Sequence, residues 1–314
     1  MKLWDMSDMY ALINEYPRQF ERGFRIAEQI NLPKSTITNV IITAVGHDAA
    51  VAKIVCDLFE ANITIPITIK QELADAKTVT KQTLIINLAV TYYPEEMVKL
   101  TKKYYVDGAK IITITTGGEP EIFARDRQLP LILLDDSLSE WKFRMGSGLI
   151  IAILTHVLTH YGILPQQTRS HMLQTTTKLD GMYLTKLGEK IAKFMIASSV
   201  SLLYTPSHCL GLSHLIKNLT NTLLQLPCFV GLLSDYKYSE NYGFSGKNWN
   251  KFFALIIQDN DTANNPAVLV QKQLNARKID SFIWKLNGQN KLEKSLSTIM
   301  LFYWAIYWAL KTRD

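Results

Sequence analysis

Val40-Ile41-Ile42-Thr43-Ala44-Val45-Gly46 is a β-branched run that stops at a glycine. A short continuous apolar run closed by a turn residue is the pattern of a parallel strand covered on both faces. Asp48 to Phe59 follows with helical patterning, so the stretch predicts a strand, a tight turn and a helix. The unit then recurs. Thr83 to Val90 predicts a strand and Glu95 to Tyr105 a helix. Ala109 to Thr115 predicts a strand that leads through Gly117-Gly118 into a short helix. Leu131 to Leu134 predicts a strand closed by Asp135-Asp136, and Trp141 to Tyr161 a long apolar helix. Strands alternating with helices at this spacing define βαβ units and a parallel sheet.

Upstream, Ser7 to Ile30 carries Tyr10, Ile13, Tyr16, Phe20, Phe24 and Ile26 at helical spacing, with Pro17 expected to split it in two. Downstream, a polar stretch from Gln166 to Asp180 ends and the pattern restarts. Helices are expected at Lys186–Met195, Leu210–Leu224, Pro266–Leu274 and from about Leu292 to Leu310. Strands are expected at Val200–Thr205, Cys228–Leu233, Phe252–Ile257 and Asp280–Leu286. Strand centres Ile86 and Ile112 lie 26 residues apart, and Leu255 and Ile283 lie 28 apart. Two halves with one rhythm imply a duplicated α/β module. The expected organisation is 1–165 for the N-terminal helices and first domain, 166–185 for a linker, and 186–314 for the second domain. In such sheets ligands bind outside the carboxyl ends of the strands, where strand order reverses. The loops around Gly46–Ala49, Thr91–Glu95 and Thr116–Glu119 are therefore the ones to inspect.

Composition narrows the class. The chain has 314 residues, 47% hydrophobic and 20% charged, enough for two globular domains with buried cores. The net charge of +6 is spread thinly, without a basic block, so no nucleic-acid partner is expected. Cys56, Cys209 and Cys228 are far apart and each adjoins an apolar run, which fits reduced thiols in a cytoplasmic protein. Met1-Lys2-Leu3-Trp4-Asp5 opens no apolar core of a secretory signal. Leu149–Leu158 and Ile299–Leu310 are both shorter than the roughly 20 residues a membrane span needs.

The inspected loops carry a family resemblance. In motif order and spacing the chain resembles the bifunctional phosphoglucose/phosphomannose isomerases, built from two sugar-isomerase (SIS) domains. The resemblance implies an α/β protein of two SIS domains, each a parallel sheet flanked by helices in a flavodoxin-like three-layer α/β/α arrangement. The family's G-x-G-G-S-G loop falls on Ala44-Val45-Gly46-His47-Asp48-Ala49, with Asp48 in the serine position. Its S-x-S-G-N-T-E-E loop falls on Ala89-Val90-Thr91-Tyr92-Tyr93-Pro94-Glu95-Glu96. Its I-T-S-G-G loop falls on Ile114-Thr115-Thr116-Gly117-Gly118. Phe143-Arg144-Met145-Gly146-Ser147-Gly148 keeps an arginine and the final glycine of P-R-A-A-L-G. In the second domain, Asn221, Pro227, Glu240 and Gly243 fix a register in which Thr222 replaces the family's catalytic glutamate and Tyr238 its histidine. The family's terminal lysine-bearing helix has no counterpart after Lys311-Thr312-Arg313-Asp314.

These positions set the expected chemistry. Gly46, Asp48, Thr91, Thr115, Thr116, Gly117 and Gly118 form the candidate ligand-binding set, because hydroxyls and backbone N–H groups at strand-to-helix turns cradle anions. Asp48 opposes a phosphate there. A carboxylate about 4 Å from one phosphate charge costs on the order of 4 kcal/mol at an effective dielectric of 20. It is alternatively a helix cap. Thr222 cannot act as a base near neutral pH, and loss of a general base costs roughly 10²–10⁴-fold. The pKa of an ordinary tyrosine, near 10, suits Tyr238 poorly to ring opening. Arg144 retains a place that would stabilise an enediolate or anion, or form a helix-start salt bridge. Glu240 is a candidate stand-in base.

The resulting expectation is a divergent SIS protein that binds a carbohydrate derivative, such as a sugar phosphate, between its domains, with isomerase activity weakened or lost. An active aldose–ketose isomerase with a rebuilt site stays open. So does a non-catalytic interaction protein, whose aromatic helix Phe302-Tyr303-Trp304…Tyr307-Trp308 would suit a homodimer. No cofactor, metal, nucleic acid or membrane partner is expected. His156 and His160 have metal-pair spacing but no glutamate between them, and fit core or interface histidines better. His208-Cys209 and His214 are read as packing or loop residues.

Overall fold

The computed structural model describes residues 5–73, 79–134, 142, 144–244, 251–259 and 265–313. Asp135, Asp136, Trp141 and Phe143, which figure in the readings above, lie outside them. The chain divides into two compact units: Glu15–Thr177, and Met1–Asn14 together with Lys178–Asp314.

The Glu15–Thr177 unit holds helix α2 (Tyr16–Glu28), then β1 (Asn39–Thr43), α3 (Gly46–Phe59), β2 (Ile67–Lys70), β3 (Thr83–Ala89), α4 (Glu95–Val106), β4 (Lys110–Thr115), α5 (Gly118–Asp126), β5 (Leu131–Leu133), α6 (Ser147–His160) and α7 (Thr168–Thr176). Its five strands are all parallel, in the order β2-β1-β3-β4-β5. The chain leaves β1 toward one edge and returns through β3 toward the other, so the switch in strand order lies between β1 and β3. Every residue of β3 is buried, as its unbroken apolar run requires. The three described residues of β5 and the edge strand β2 are more exposed.

Two small residues set how closely α2 approaches α6. A Cβ at Gly23 would stand 2.5 Å from the Leu149 carbonyl oxygen and 2.8 Å from the Ala152 Cβ. Backbone on one side and a buried methyl on the other leave nothing to give way. Gly23→Val is expected to destabilise this unit by about 3 kcal/mol, the upper range for overpacking. A urea midpoint unchanged from the parent chain would refute that packing.

The other unit opens with α1 (Met6–Asn14) and continues with α8 (Gly181–Ala197), β6 (Val200–Thr205), a 3₁₀ turn (Ser207–Cys209), α9 (Leu210–Leu223) and β7 (Cys228–Leu232). Short helices α10 (Leu233–Tyr236) and α11 (Glu240–Gly243) follow. After them come β8 (Phe252–Gln258), α12 (Pro266–Ala276), β9 (Asp280–Lys285) and α13 (Lys291–Arg313). The parallel sheet runs β7-β6-β8-β9, which repeats the β2-β1-β3-β4 order of the first sheet. The duplication expected from strand rhythm is therefore present in topology.

Three expectations are corrected. The 166–185 stretch, expected as a linker, contains α7, which buries Met172 and three threonines. Helix α1, expected with the first sheet, belongs to the second unit: Tyr10 packs its ring 5.2 Å from Trp304 and 5.7 Å from Tyr307. Of the α13 aromatics expected at a docking surface, Phe302, Tyr303, Trp304 and Tyr307 are buried and Trp308 is half-buried. No described helix is long and apolar enough to cross a membrane.

Candidate functional site

The loops after β1 and β3 meet at the first switch point. Gly46 turns the chain there with φ +53°, and a Cβ would meet nothing within 4 Å, so the demand for glycine is conformational. Helix α3 starts at this turn and carries His47 and Asp48 inward, exposed by only 2% and 0%.

Asp48 does not cap its own helix, correcting that alternative. Its carboxylate crosses from the β1 loop to the β3 loop. Oδ2 accepts from the backbone N–H of Val90 (2.8 Å) and of Thr91 (3.0 Å), and Oδ1 accepts from the Thr91 hydroxyl (2.9 Å). Two backbone N–H groups and a hydroxyl converging on an anion at a strand-to-helix crevice are a phosphate-type donor set. Here the chain's own carboxylate is the anion. Burial pushes the Asp48 carboxyl up to about 6, against the opposing pull of the Thr91 and Val90 hydrogen bonds and the Arg144 charge. Burial, helped by Arg144, holds His47 down to about 3, and neither of its ring nitrogens has a hydrogen-bond partner. At neutral pH the crevice thus holds a carboxylate, a neutral imidazole and the Arg144 guanidinium.

The third loop closes over the same crevice. Thr115 Oγ1 lies 2.8 Å from the Ala89 carbonyl and 3.0 Å from the Gly117 carbonyl, and accepts from the Gly117 N–H at 3.2 Å. The Thr116 hydroxyl donates to the Val90 carbonyl (3.2 Å). Both hydroxyls tie the β4 loop to the β3 loop. Gly118, at φ +71°, carries the Tyr93 ring so closely that a Cβ would lie 2.6 Å from it. One cluster therefore unites Gly46, Asp48, Thr91, Thr115, Thr116, Gly117, Gly118 and Arg144, with His47 and Tyr93 added by the structure.

The second-unit residues do not form one site within that unit. The Thr222 hydroxyl donates to the Asn218 carbonyl on the exposed surface of α9 (2.6 Å). Its neighbour Asn221 accepts from the N–H of Cys228 (2.8 Å), the first residue of β7. Tyr238 and Glu240 follow the other end of β7, roughly 15 Å away at about 3.3 Å per residue. Tyr238 is 72% exposed, with the Lys237 ammonium 4.5 Å above its ring. The Glu240 carboxylate lies against Gly231 and accepts from the buried Tyr204 hydroxyl, whose pKa is raised by burial and by Glu240. The second switch point, between β6 and β8, is bridged by His208 together with Asp259 and Lys294, which the sequence reading did not single out. Asp259 Oδ2 pairs with His208 Nε2 at 2.8 Å and Oδ1 with Lys294 Nζ at 2.7 Å. His208, read as a packing or loop residue, thus hydrogen-bonds Asp259 at the carboxyl end of the sheet. Among the described residues, no group of three or more His, Cys, Asp or Glu could hold a metal ion.

The fold is two α/β units, each a parallel sheet flanked by helices, as expected of SIS-type domains. No protein-family model matches the chain. Over 132 residues it is 26% identical to the bifunctional phosphoglucose/phosphomannose isomerase of Caldicellulosiruptor bescii, a match that spans 41% of this chain and 39% of that relative's length. The C-terminal domain of glucosamine-fructose-6-phosphate aminotransferase from Francisella tularensis superposes with a TM-score of 0.73 at 10% identity, over 96% of this chain and 94% of that one. Glucosamine-6-phosphate deaminase from Thermotoga maritima gives 0.69 at 12% identity, over 98% and 94%. The chain has the fold of these phosphosugar proteins, and its low identity marks it as divergent.

Proposed function

We propose that the chain binds a carbohydrate derivative and has weakened or lost the aldose–ketose isomerisation of the isomerases it resembles. The observation that carries this reading is the Asp48 carboxylate on the Val90 and Thr91 donors. A phosphate approaching that crevice finds its donors taken and a negative charge in place. The Arg144 charge offsets part of it, but that charge already acts on Asp48. The catalytic positions support the same reading. Thr222 has no ionisable group, Tyr238 lies on the surface, and the Glu240 carboxylate is engaged by Tyr204. The reading also includes a homodimer, as the resemblance implies, and a cytoplasmic setting for three free cysteines.

The test is turnover. Interconversion of fructose 6-phosphate with glucose 6-phosphate and mannose 6-phosphate is expected at least 100-fold below the roughly 10 per second of an ordinary enzyme. Turnover within tenfold of that figure would overturn the loss of activity. A thermal-shift panel of neutral sugars and sugar phosphates tests binding, and a flat response across the panel would overturn it.

A further inference from the structure

A second concave site lies in the Glu15–Thr177 unit, at the other end of its sheet. Its cavity of about 500 Å³ is lined by α2, the segment leading into β1, the end of α6 and the start of α7. Lys34 and Ser35 precede β1, which puts the cavity at the amino edge of the sheet, opposite the switch point. The volume falls within the range of small-molecule sites.

Its lining is cationic. Lys34 and Arg169 carry fixed positive charges, and His156 and His160 add two ionisable rings on one helix face. The spacing that suggested a metal pair thus serves a pocket wall. Half-buried His156 and exposed His160 are not core histidines. Glu28 is the single carboxylate in the lining, paired with Arg169. Arg169 also lies over the Phe24 ring at 5.4 Å, which fixes its plane. The Thr159 hydroxyl on the same wall is buried without a hydrogen-bond partner. Ser35, Gln166 and Tyr161 complete the polar rim. Burial lowers the His156 pKa first, with His160 and Arg169 adding to the effect and Glu28 opposing it. An anion here faces two fixed cations against one carboxylate.

We infer that this pocket binds the phosphomonoester group of a small polar metabolite through Arg169, Lys34 and the His156/His160 pair. Arg169 spends Nη1 on Glu28, and the Nε and Nη2 edge of its fork suits two phosphate oxygens, while lysine and histidine donate to the third. The inference does not depend on the reading of the Asp48 crevice, because no residue is shared.

The probes are inorganic phosphate, glucose 6-phosphate and neutral glucose, titrated into the full chain while the imidazole C–H signals of His156 and His160 are followed by NMR. Phosphate and glucose 6-phosphate are expected to shift both signals, and glucose neither. Tighter binding of glucose 6-phosphate than of phosphate would place its sugar in the same cavity; equal binding would assign the site to the anion alone. Arg169→Gln is expected to weaken phosphate binding at least tenfold, and His160→Asn about threefold. Arg169 also holds Glu28, so His160→Asn, at an exposed position, is the variant that leaves the fold undisturbed. Phosphate binding that leaves both histidine signals unmoved, or that both variants leave unchanged, would overturn the assignment. Binding that survives both variants but is lost on Arg144→Gln would place the anion at the switch point and refute the proposed function, not merely this pocket.

Discussion

Asp48→Ser is expected to convert the first switch point into an anion site and to make the chain's stability depend on phosphate. The substitution strips the acceptor from two buried N–H groups and one hydroxyl. An unsatisfied buried polar group costs about 1–3 kcal/mol. Against this stands relief from burying a charge. The rise of the Asp48 carboxyl from 3.8 to about 6 corresponds to about 3 kcal/mol at neutral pH. Three such groups cost about 3–9 kcal/mol, so the net loss should be up to about 6 kcal/mol, read as a lower thermal midpoint at pH 7.5. Phosphate should then restore part of it, because the vacated donors and Arg144 suit the anion. At a hundred times its Kd a ligand stabilises by about 2.7 kcal/mol. The comparison belongs in an Arg169→Gln background, so that the cavity at the other sheet edge does not contribute. Equal phosphate responses with and without Asp48 would show that its carboxylate is not what fills this crevice.

How much of this was legible in sequence depends on how local each cause is. Strands β1, β3 and β4 were readable because strands covered on both faces need unbroken apolar runs. Edge strand β2 was not: Pro66 interrupts its apolar residues, and the strand is half exposed. Pro66 lies just before the strand, where its missing N–H costs nothing, and its carbonyl accepts from the Val40 N–H. The threonine-rich α7 hid in a polar stretch for lack of an apolar stripe. The amphipathic face of α1 was visible, but periodicity does not say which sheet a face will cover. At the site, the sequence placed a carboxylate where a hydroxyl was expected. It could not separate a local helix cap from a bridge to donors 42 and 43 residues away. The His208–Asp259–Lys294 bridge was missed for the same reason. The available signal was position: Asp259 directly follows β8 at the strand's carboxyl end.

His47→Leu is expected to change the direction in which acid acts on this unit. His47 is completely buried, and its pKa is held at about 3 against 6.5 in the unfolded chain. Between those values the unfolded state binds a proton that the folded state does not, so stability falls as pH drops below 6.5. By pH 4.5 the loss is about 3 kcal/mol. Asp48 acts in the opposite sense. Its folded pKa of about 6 lies above the unfolded 3.8, so the folded state binds the extra proton and stability rises as pH falls from 6 toward 3.8. In the parent chain the two neighbours nearly cancel over this window. Leucine removes only the histidine's share, and it sacrifices no hydrogen bond, because neither ring nitrogen makes one. The variant should therefore gain about 3 kcal/mol on the parent between pH 7.5 and 4.5, while Asp48→Asn should lose about 2 kcal/mol over the same interval. Urea midpoints across the pH series measure both, and other titrating groups drop out of each difference. Stability curves for the parent and His47→Leu that run parallel from pH 7.5 to 4.5 would mean that His47 is protonated in the folded chain, and that the crevice is wetter and more open than its burial implies.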